Sequence, residues 1–317
     1  MSDRRHVDRR QFLRQSATLV GAAVLARPAQ AAPPRAGDLV PLGHTGAKIA
    51  RLGIGTGSNG GDVQRGLGQE AFTRLIRHAV DRGVTYIDTA DNYRTHTMVG
   101  AAIKGLPREK LFIQTKMPWE RPEFLERPHE VIDRYRRELG TDYLDSLLIH
   151  CTLKHSWPDD LKPMMDAFDE AKQKGIIRLK GVSCHGLPAL TAATPVEWVD
   201  VHLVRVNPQG HHVDGAEGKW QEPGNVPAAM KEIRSMHARG RGIIGMKLVG
   251  NGDFTNPDDR ERALHFALTC GCVHSVVIGF ASPAQVDEAV TRVDAILAKE
   301  QAAGYRLQPT GGWAASL

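Results

Sequence analysis

The chain has 317 residues, 41% of them hydrophobic and 24% charged, and its formal net charge is +5 at pH 7. Residues 1–31 carry six arginines and two aspartates, so most of the excess positive charge lies there. The other 286 of the 317 residues are close to neutral, which gives no support to a nucleic-acid or anionic-membrane partner. They contain no stretch long and apolar enough for a transmembrane helix. Their number suits one large domain.

The first 31 residues are typical of an export leader. Asp8 to Arg14 reads Asp-Arg-Arg-Gln-Phe-Leu-Arg, which resembles the twin-arginine (Tat) signal. A short, mildly apolar run from Ser16 to Ala26 follows, and Ala29-Gln30-Ala31 is a small-x-small cleavage site. The alternative is a disordered basic tail. We predict a Tat signal peptide over residues 1–31, recognition by the Tat export machinery, a periplasmic or exported location, and no stable membrane span after cleavage.

Strand and helix patterns alternate over residues 39–300, which predicts a closed parallel α/β barrel of the (β/α)₈ type. Residues 32–38 are interpreted as a Pro/Ala linker and residues 301–317 as a C-terminal tail. The sequence pattern over residues 39–52 predicts two short strands around a glycine-containing turn. The predicted barrel strands lie near 52–57, 85–88, 111–117, 144–150, 178–184, 199–206, 242–249 and 275–280. The predicted helices lie near 69–82, 97–103, 128–139, 159–174, 188–194, 226–239, 256–270 and 283–299.

Polar residues stand at the ends of three successive predicted strands. Asp88 follows Thr85-Tyr86-Ile87, Lys116 closes the next strand, and His150 closes the one after it; Tyr93 lies across the loop that follows Asp88. The C-terminal ends of barrel strands are where chemistry is done. A buried, unpaired lysine would be costly, which makes Asp88 its obvious partner. Each residue alone is commonly a cap, a solvated charge or a satisfied core residue, but together they indicate one catalytic site.

This arrangement resembles the catalytic tetrad of the aldo-keto reductases. The matching residues are Ile87-Asp88-Thr89-Ala90 with Tyr93, Thr115-Lys116, and Leu148-Ile149-His150. The resemblance continues at 175–178 and 181–183, ends at 278–279 and 282–283, and covers roughly residues 39–300. It implies a TIM barrel whose bottom is closed by an N-terminal β-hairpin.

The resemblance implies hydride transfer between a nicotinamide cofactor and a small carbonyl or alcohol substrate. Tyr93 would be the general acid that protonates the carbonyl oxygen, or the base in the oxidative direction. Lys116 would favour the phenolate and bring the pKa of Tyr93 down from about 10. Asp88 would hold Lys116 charged and in place, and His150 would donate to the carbonyl oxygen.

The nicotinamide pocket departs from the family pattern. Ser183-Cys184 stands where the family has a Ser-Asn pair for the carboxamide, and a thiol is a weak partner. Met246 replaces the aromatic residue that usually stacks on the nicotinamide, and Lys247 could pair with the pyrophosphate. This Met-Lys pair resembles a bacterial branch that often carries a C-terminal iron–sulfur motif. Residues 301–317 contain no cysteine, so no cluster is expected.

The adenosine end of the cofactor is expected at residues 277–288, where a strand leads into a helix whose first N–H groups suit a phosphate. Gly279 and Gln285 stand where a Lys and an Arg often clamp the 2′-phosphate. The cofactor is therefore expected to be NADP(H) or NAD(H), with the preference open. The predicted cofactor-binding residues are Gly55, Thr56, Ser183, Cys184, Met246, Lys247, Gly279, Phe280, Ala281, Gln285 and Glu288.

Several interpretations stay open. Residues 207–225 form either a substrate loop or a surface excursion. The pair His211-His212 suggests a metal, but a solvated loop is the simpler interpretation, and Cys270-Gly271-Cys272 is too tight for a usual zinc pair. No metal site is therefore predicted. Export permits a disulfide, which the sequence does not show.

Two other functions compete with the reductase. The altered nicotinamide pocket motivates a nucleotide-binding or sensory barrel with little turnover. A metal-dependent barrel hydrolase is disfavoured because the first barrel strand, Gly53-Ile54-Gly55-Thr56-Gly57, offers no His-x-His. The same segment lacks the spacing of a Rossmann fingerprint.

Overall fold

Eight short apolar strands close into one parallel barrel in the computed structural model, which describes residues 32–304. The predicted signal peptide and residues 305–317 of the predicted tail lie outside the described residues. A two-stranded hairpin precedes the barrel. The barrel is closed because its last strand pairs with its first. The hairpin strands are β1 (Leu39–Pro41) and β2 (Lys48–Ala50). The barrel strands are β3 (Leu52–Gly55), β4 (Tyr86–Asp88), β5 (Phe112–Met117), β6 (Leu144–Thr152), β7 (Ile177–Cys184), β8 (Val201–Arg205), β9 (Gly242–Met246) and β10 (Ser275–Gly279).

The helices cover the outside of the barrel, because each one buries a single apolar face. They are α1 (Asp62–Gly66), α2 (Gly68–Asp81), α3 (His96–Ile103), α4 (Pro122–Glu126), α5 (Pro128–Leu139), α6 (Trp157–Asp160), α7 (Lys162–Gln173), α8 (Leu187–Ala193), α9 (Val226–Ala238), α10 (Pro257–Thr269) and α11 (Pro283–Ala302). Over residues 32–304, none of them combines the length and the apolar character needed to cross a bilayer. The predicted TIM barrel is confirmed.

Two predicted element boundaries are wrong for identifiable reasons. The single helix expected over 159–174 is two helices, α6 and α7. Pro163 has no amide hydrogen and is accommodated in the first turn of α7, where that hydrogen would have no partner. The strand expected over 242–249 ends at Met246 because Lys247 has a positive φ of 62°.

The N-terminal segment packs beneath the barrel. Leu42 and Ile49 of the hairpin are fully buried in one cluster with inward-facing residues of the barrel strands, so the hairpin closes the bottom as predicted. Ala36 is also fully buried, and its N–H donates to Asp294 Oδ1 of α11 at 2.7 Å. The end of the predicted 32–38 linker is therefore packed against the barrel rather than extended from it.

Alternation along the strands divides the barrel interior into layers. The lower layers are mainly apolar and include Tyr86, Phe112, Leu148, Val201 and Ile244. Two residues beyond Tyr86, Phe112 and Leu148, the buried side chains are the polar Asp88, Gln114 and His150. Lys116, Ser183 and Arg205 are also buried near the C-terminal ends of their strands. The fold thus places the buried charges of Asp88, Lys116 and Arg205 at the C-terminal end of the barrel.

Candidate active site

A buried ion pair lies at the C-terminal ends of β4 and β5. Lys116 Nζ donates to Asp88 Oδ2 at 2.7 Å and to the carbonyl oxygen of Thr89 at 2.9 Å. Gln114 Nε2 donates to the other carboxylate oxygen of Asp88, also at 2.9 Å. Burial alone would lower the pKa of Lys116, but the charges of Asp88 and Tyr93 outweigh it and raise that pKa. The lysine is therefore a fixed cation.

The phenol of Tyr93 lies beside this cation. A 3₁₀ turn over Asp91–Tyr93 places the hydroxyl 3.4 Å from Lys116 Nζ. Arg134 Nη2 fixes the turn by binding Asp91 Oδ1 at 2.7 Å. The Tyr93 ring occupies the space above Gly57, where a Cβ would come within 2.4 Å of the ring. A glycine at position 57 is therefore needed to admit the Tyr93 ring.

The pKa of Tyr93 is shifted in the direction opposite to the one predicted. Burial raises it, and Asp88 raises it further. Lys116 lowers it, as the sequence suggested, but does not overcome the other effects. The prediction of a pKa closer to neutral is therefore wrong for the net shift. The phenol is held in its protonated form, which is the form that donates a proton.

His150 completes the group of four predicted catalytic residues. Its ring centre is 5.6 Å from that of Tyr93, with the two planes at 87°. Burial, followed by the charges of Lys116 and Lys247, holds the pKa of His150 well below its usual value. The ring is therefore neutral and carries one proton. Its Nδ1 is buried without a hydrogen-bond partner among the described residues. The structure thus brings all four residues together at the C-terminal end of the barrel.

The two predicted cofactor residues of the first barrel strand differ in their environment. Thr56 is fully buried, and its hydroxyl donates to the carbonyl oxygen of Asp88 at 3.1 Å and contacts Thr95 Oγ1 at 2.8 Å. Its side chain therefore anchors the loop that carries Tyr93. Gly55 has more room, since a Cβ there would meet Val277 only at 3.4 Å.

Ser183 and Cys184 point to opposite sides of β7. Ser183 Oγ is 3.5 Å from His185 Nε2, a contact long enough to leave the hydroxyl available. Cys184 instead belongs to the outer core, where its sulfur accepts from Thr152 Oγ1 at 3.4 Å and lies 3.5 Å from the carbonyl oxygen of Ala189. Of this predicted carboxamide pair, the structure places only Ser183 toward the four predicted catalytic residues.

Met246 and Lys247 end β9 at the barrel mouth. Met246 is 8% exposed and belongs to the interior cluster. Lys247 Nζ donates to the neutral amide oxygen of Asn251 at 2.9 Å and lies 4.9 Å from the centre of a Trp220 ring. Burial, then the charges of Arg205 and Lys116, lowers the pKa of Lys247 to about 8. This lysine is a partly buried cation with a neutral hydrogen-bond partner, so it suits an anion.

The predicted adenosine segment is covered by the loop after β3. A Cβ at Gly279 would come within 2.0 Å of Ser58 Oγ, and Gln64 Nε2 donates to the Phe280 carbonyl at 3.1 Å. Gln285 Oε1 accepts from the N–H of Ala281 at 2.7 Å.

Glu288 lies at the same end of α11 and is bound to two arginines. Its Oε1 is 3.0 Å from Arg292 Nε and 3.3 Å from Arg260 Nη2. The sequence did not identify Arg260 as a residue of this region. It is a cation beside the predicted adenosine segment, and a carboxylate already neutralises it.

The sequence also missed a second buried charge pair at the mouth. Arg205 and Asp214 are 2% and 0% exposed, and Arg205 Nη1 is 3.7 Å from Asp214 Oδ1. Asp214 Oδ1 also accepts from the N–H of Gly186 at 2.7 Å. Burial raises the pKa of Asp214 to about 6, against the opposing effect of Arg205. Lys116 was identified because a charged residue ends an apolar strand. The same reasoning would have identified Arg205, which stands near the end of the apolar run Val201–Val206.

A thiol and an imidazole lie next to the mouth, and the sequence did not pair them. Cys151 Sγ is 3.0 Å from His185 Nδ1, and the His185 ring centre is 6.4 Å from that of His150. Burial raises the pKa of Cys151 to about 11, which keeps the thiol neutral. All four cysteines are free.

Comparison with known proteins identifies the family. The family model of the aldo/keto reductases matches residues 51–269, and the chain belongs to that family. The aldo-keto reductase YhdN of Bacillus subtilis is 31% identical over 156 residues, 45% of this chain and 45% of that protein. An NADH-specific methylglyoxal reductase of Escherichia coli is 29% identical over 166 residues, 45% of this chain and 51% of that protein. The chain thus spans about half the length of these curated relatives.

Solved structures of low sequence identity share the fold. An aldo-keto reductase from Pseudomonas aeruginosa superposes with a TM-score of 0.68 at 20% identity, over 83% of this chain and 97% of that one. An aldo-keto reductase from Klebsiella pneumoniae in complex with NADPH superposes with a TM-score of 0.59 at 20% identity, over 85% of this chain and 94% of that one.

The buried ion pair gives a stability prediction. Asp88→Asn and Lys116→Met should each lower the free energy of unfolding by about 3–5 kcal/mol, because each leaves one buried charge unpaired. The double variant should lose much less than the sum, because no uncompensated charge remains. Urea unfolding of the four proteins measures this coupling.

An exposed ion pair serves as the control. Arg74 and Glu70 are 62% and 90% exposed, so Glu70→Gln should cost less than about 1 kcal/mol. Additive losses at Asp88 and Lys116, or single losses as small as that of Glu70→Gln, would contradict the interpretation of the pair.

Proposed function

We propose that this protein is an NAD(P)-dependent oxidoreductase that reduces an aldehyde or ketone to an alcohol, or catalyses the reverse reaction. The observation that carries the proposal is the convergence of Tyr93, Lys116, Asp88 and His150 at the C-terminal end of the barrel. Membership of the aldo/keto reductase family supports it.

The chain's own groups suit such a cofactor in part. Ser183 presents a hydroxyl with only a long protein contact, and Met246 offers an apolar surface at the end of β9. Lys247 is a partly buried cation beside a neutral amide, and it would pair with a phosphate. The bound nicotinamide would supply or accept the hydride. The residues named here would hold it at the mouth, within reach of the catalytic four.

The remaining chemistry is proton transfer and orientation. Tyr93 would donate the phenolic proton to the substrate oxygen, and its raised pKa keeps that proton in place until the oxygen becomes basic. Lys116 would stabilise the phenolate left behind, at 3.4 Å. Neutral His150 would orient the carbonyl by a hydrogen bond from its ring. Asp88 and Gln114 hold Lys116 in position.

The substrate class follows only from relatives. Two matching proteins are named a glyoxal reductase, from Bacillus subtilis, and a methylglyoxal reductase, from Escherichia coli. Small dicarbonyl compounds are therefore the first substrates to test.

A second function is favoured by one observation. Cys184 faces the outer core, so only one residue of the carboxamide pair remains near the catalytic residues. A barrel that binds the nucleotide with little turnover would show this feature. Nucleotide binding without NAD(P)H oxidation, across a panel of aldehydes, would support that alternative over the reductase.

The role of Tyr93 gives the first prediction of activity. Tyr93→Phe should lose most turnover and keep nucleotide affinity near wild type, because the phenol acts on the substrate oxygen. The measurement is steady-state NAD(P)H oxidation with titration of the nucleotide. Tyr143→Phe is the matched control, since Tyr143 lies just before β6, at the opposite end of the barrel. Activity of Tyr93→Phe within about tenfold of wild type, a loss of only ~1.4 kcal/mol, would refute the acid role.

A second prediction concerns nucleotide preference. A missing contact to the 2′-phosphate costs about 1.5–3 kcal/mol, which is roughly one to two decades of affinity. Gly279 and Gln285 supply no charge there, and Glu288 neutralises Arg260. Discrimination for NADP(H) over NAD(H) should therefore be weak or reversed. Titration of the protein with both nucleotides tests this.

Removal of the neutralising carboxylate provides the control for that titration. Glu288→Gln releases Arg260 and should shift the preference toward NADPH, whereas Glu70→Gln, at an exposed pair elsewhere, should not. A wild-type preference for NADPH of about a hundredfold or more, or about 2.7 kcal/mol, would show that a phosphate clamp exists.

We also propose that the protein is exported through the Tat pathway, on the basis of the twin-arginine segment in residues 8–14. That route carries folded proteins and suits a barrel that must bind its nucleotide before leaving the cell. Replacing Arg9 and Arg10 together by lysine should leave the protein in the cytoplasm with its leader uncleaved. Cell fractionation with immunoblotting measures this, and normal periplasmic accumulation of the double variant would refute it.

A further inference from the structure

Two histidines and an aspartate converge on one point outside the catalytic group. His211 Nε2 is 2.7 Å from Asp253 Oδ2, and His212 Nε2 is 3.0 Å from the same oxygen. One ligand atom from each residue lies within 4.8 Å of the others. The histidines belong to the 207–225 loop, whereas Asp253 follows a 3₁₀ turn (Gly250–Gly252) after β9. The cluster therefore joins two separate loops at the barrel mouth.

The hydrogen bond at Nδ1 of His212 shows which ring nitrogen carries a proton. His212 Nδ1 is 3.0 Å from the carbonyl oxygen of Trp220, which can only accept a hydrogen bond, so Nδ1 carries a proton. In a neutral ring, Nε2 then presents a lone pair toward the carboxylate of Asp253. Two lone pairs at 3.0 Å repel unless a positive charge lies between them, which is either a proton on the ring or a metal ion. A backbone carbonyl on the far nitrogen is also the usual way in which proteins orient a metal-binding histidine.

The backbone places both rings on the same side. His212 has a φ of 53°, an uncommon conformation for a residue other than glycine. Because of this, the rings of two adjacent residues lie only 4.1 Å apart at their centres. The His212 ring stacks on Trp220 at 3.9 Å and is 6% exposed. The side-chain amide of Asn207 holds His211 in turn, donating to its carbonyl oxygen at 2.7 Å. The two nitrogens are therefore preorganised.

We propose that His211, His212 and Asp253 bind one divalent ion of the zinc type. Two imidazole nitrogens and a carboxylate oxygen are the donors that such ions prefer over calcium or magnesium. All three ligand atoms lie within 4.8 Å of one another, so small side-chain rotations would bring each of them to about 2.0–2.2 Å from one ion. Water would complete the coordination. The sequence alone did not indicate this cluster, because the third proposed ligand lies 41 residues after His212.

The ion would fix the loop at the mouth. The 207–225 loop supplies Asp214, which binds Arg205, and Trp220, which lies between His212 and Lys247. A metal on His212 would therefore hold the Trp220 ring in place beside the Lys247 ammonium group. This role is structural and does not depend on the proposed reductase activity.

The test is zinc binding by the whole protein after treatment with a chelator. Isothermal titration with zinc should give one ion per chain, and zinc should raise the melting temperature. Magnesium should do neither. His211→Gln and Asp253→Asn should each weaken zinc binding at least tenfold, whereas the melting temperatures of the metal-free variants should stay close to that of the metal-free wild type.

A matched control distinguishes this site from other surface histidines. His265 is 46% exposed, as is His211, and its Nε2 lies 3.0 Å from Glu300. His265→Gln should leave the zinc affinity unchanged. Absence of stoichiometric zinc binding would overturn the proposal, as would unchanged affinity in His211→Gln or an equal loss in His265→Gln.

Discussion

The interaction on which the site depends is the ion pair between Lys116 and Asp88. A lysine 1% exposed inside a barrel is tolerated only because a carboxylate neutralises it at 2.7 Å. Gln114 donates a hydrogen bond to the second carboxylate oxygen of Asp88, and the Thr89 carbonyl oxygen accepts another hydrogen bond from Lys116. These bonds leave the ammonium group one direction of approach, toward Tyr93. The orientation of the phenol is thus a consequence of how the barrel satisfies its own buried charge.

The geometry of parallel strands explains why these groups meet. Residues two apart along a strand share a face, so the apolar Tyr86 and Phe112 lie one layer below Asp88 and Gln114. Neighbouring strands in register then bring residues about thirty positions apart into contact, as for Asp88 and Gln114. If the pairing register of β4 or β5 shifted by one residue, the side chains of Asp88 and Lys116 would point outward into the apolar layer beneath the helices. The hydrophobic pattern therefore fixes the catalytic register as well as the fold.

Most barrel strands, and the convergence of Asp88, Tyr93, Lys116 and His150 at their C-terminal ends, were predictable because each depends on local pattern and on one neighbouring strand. The missed features depend on distant partners. Arg205 is neutralised by Asp214 from a loop, and the left-handed turn at Lys247 ends β9 earlier than its apolar sequence indicates. The direction of the pKa shift of Tyr93 was also missed, because it depends on whether burial or the charge of Lys116 has the larger effect. Burial is a property of the whole packed barrel and cannot be read from one strand.

The charges at the mouth bear on how a nucleotide would bind. Lys116 and Arg205 each have a carboxylate partner, but Lys247 donates to the neutral amide of Asn251, and its pKa falls to about 8. Burial is the main cause, and the two paired cations add to it. On the proposed function, a phosphate beside Lys247 would supply the missing negative charge and raise that pKa again. Nucleotide binding would then be linked to proton uptake, and affinity would fall as the pH rises through the pKa of the free enzyme, because the lysine must first be protonated.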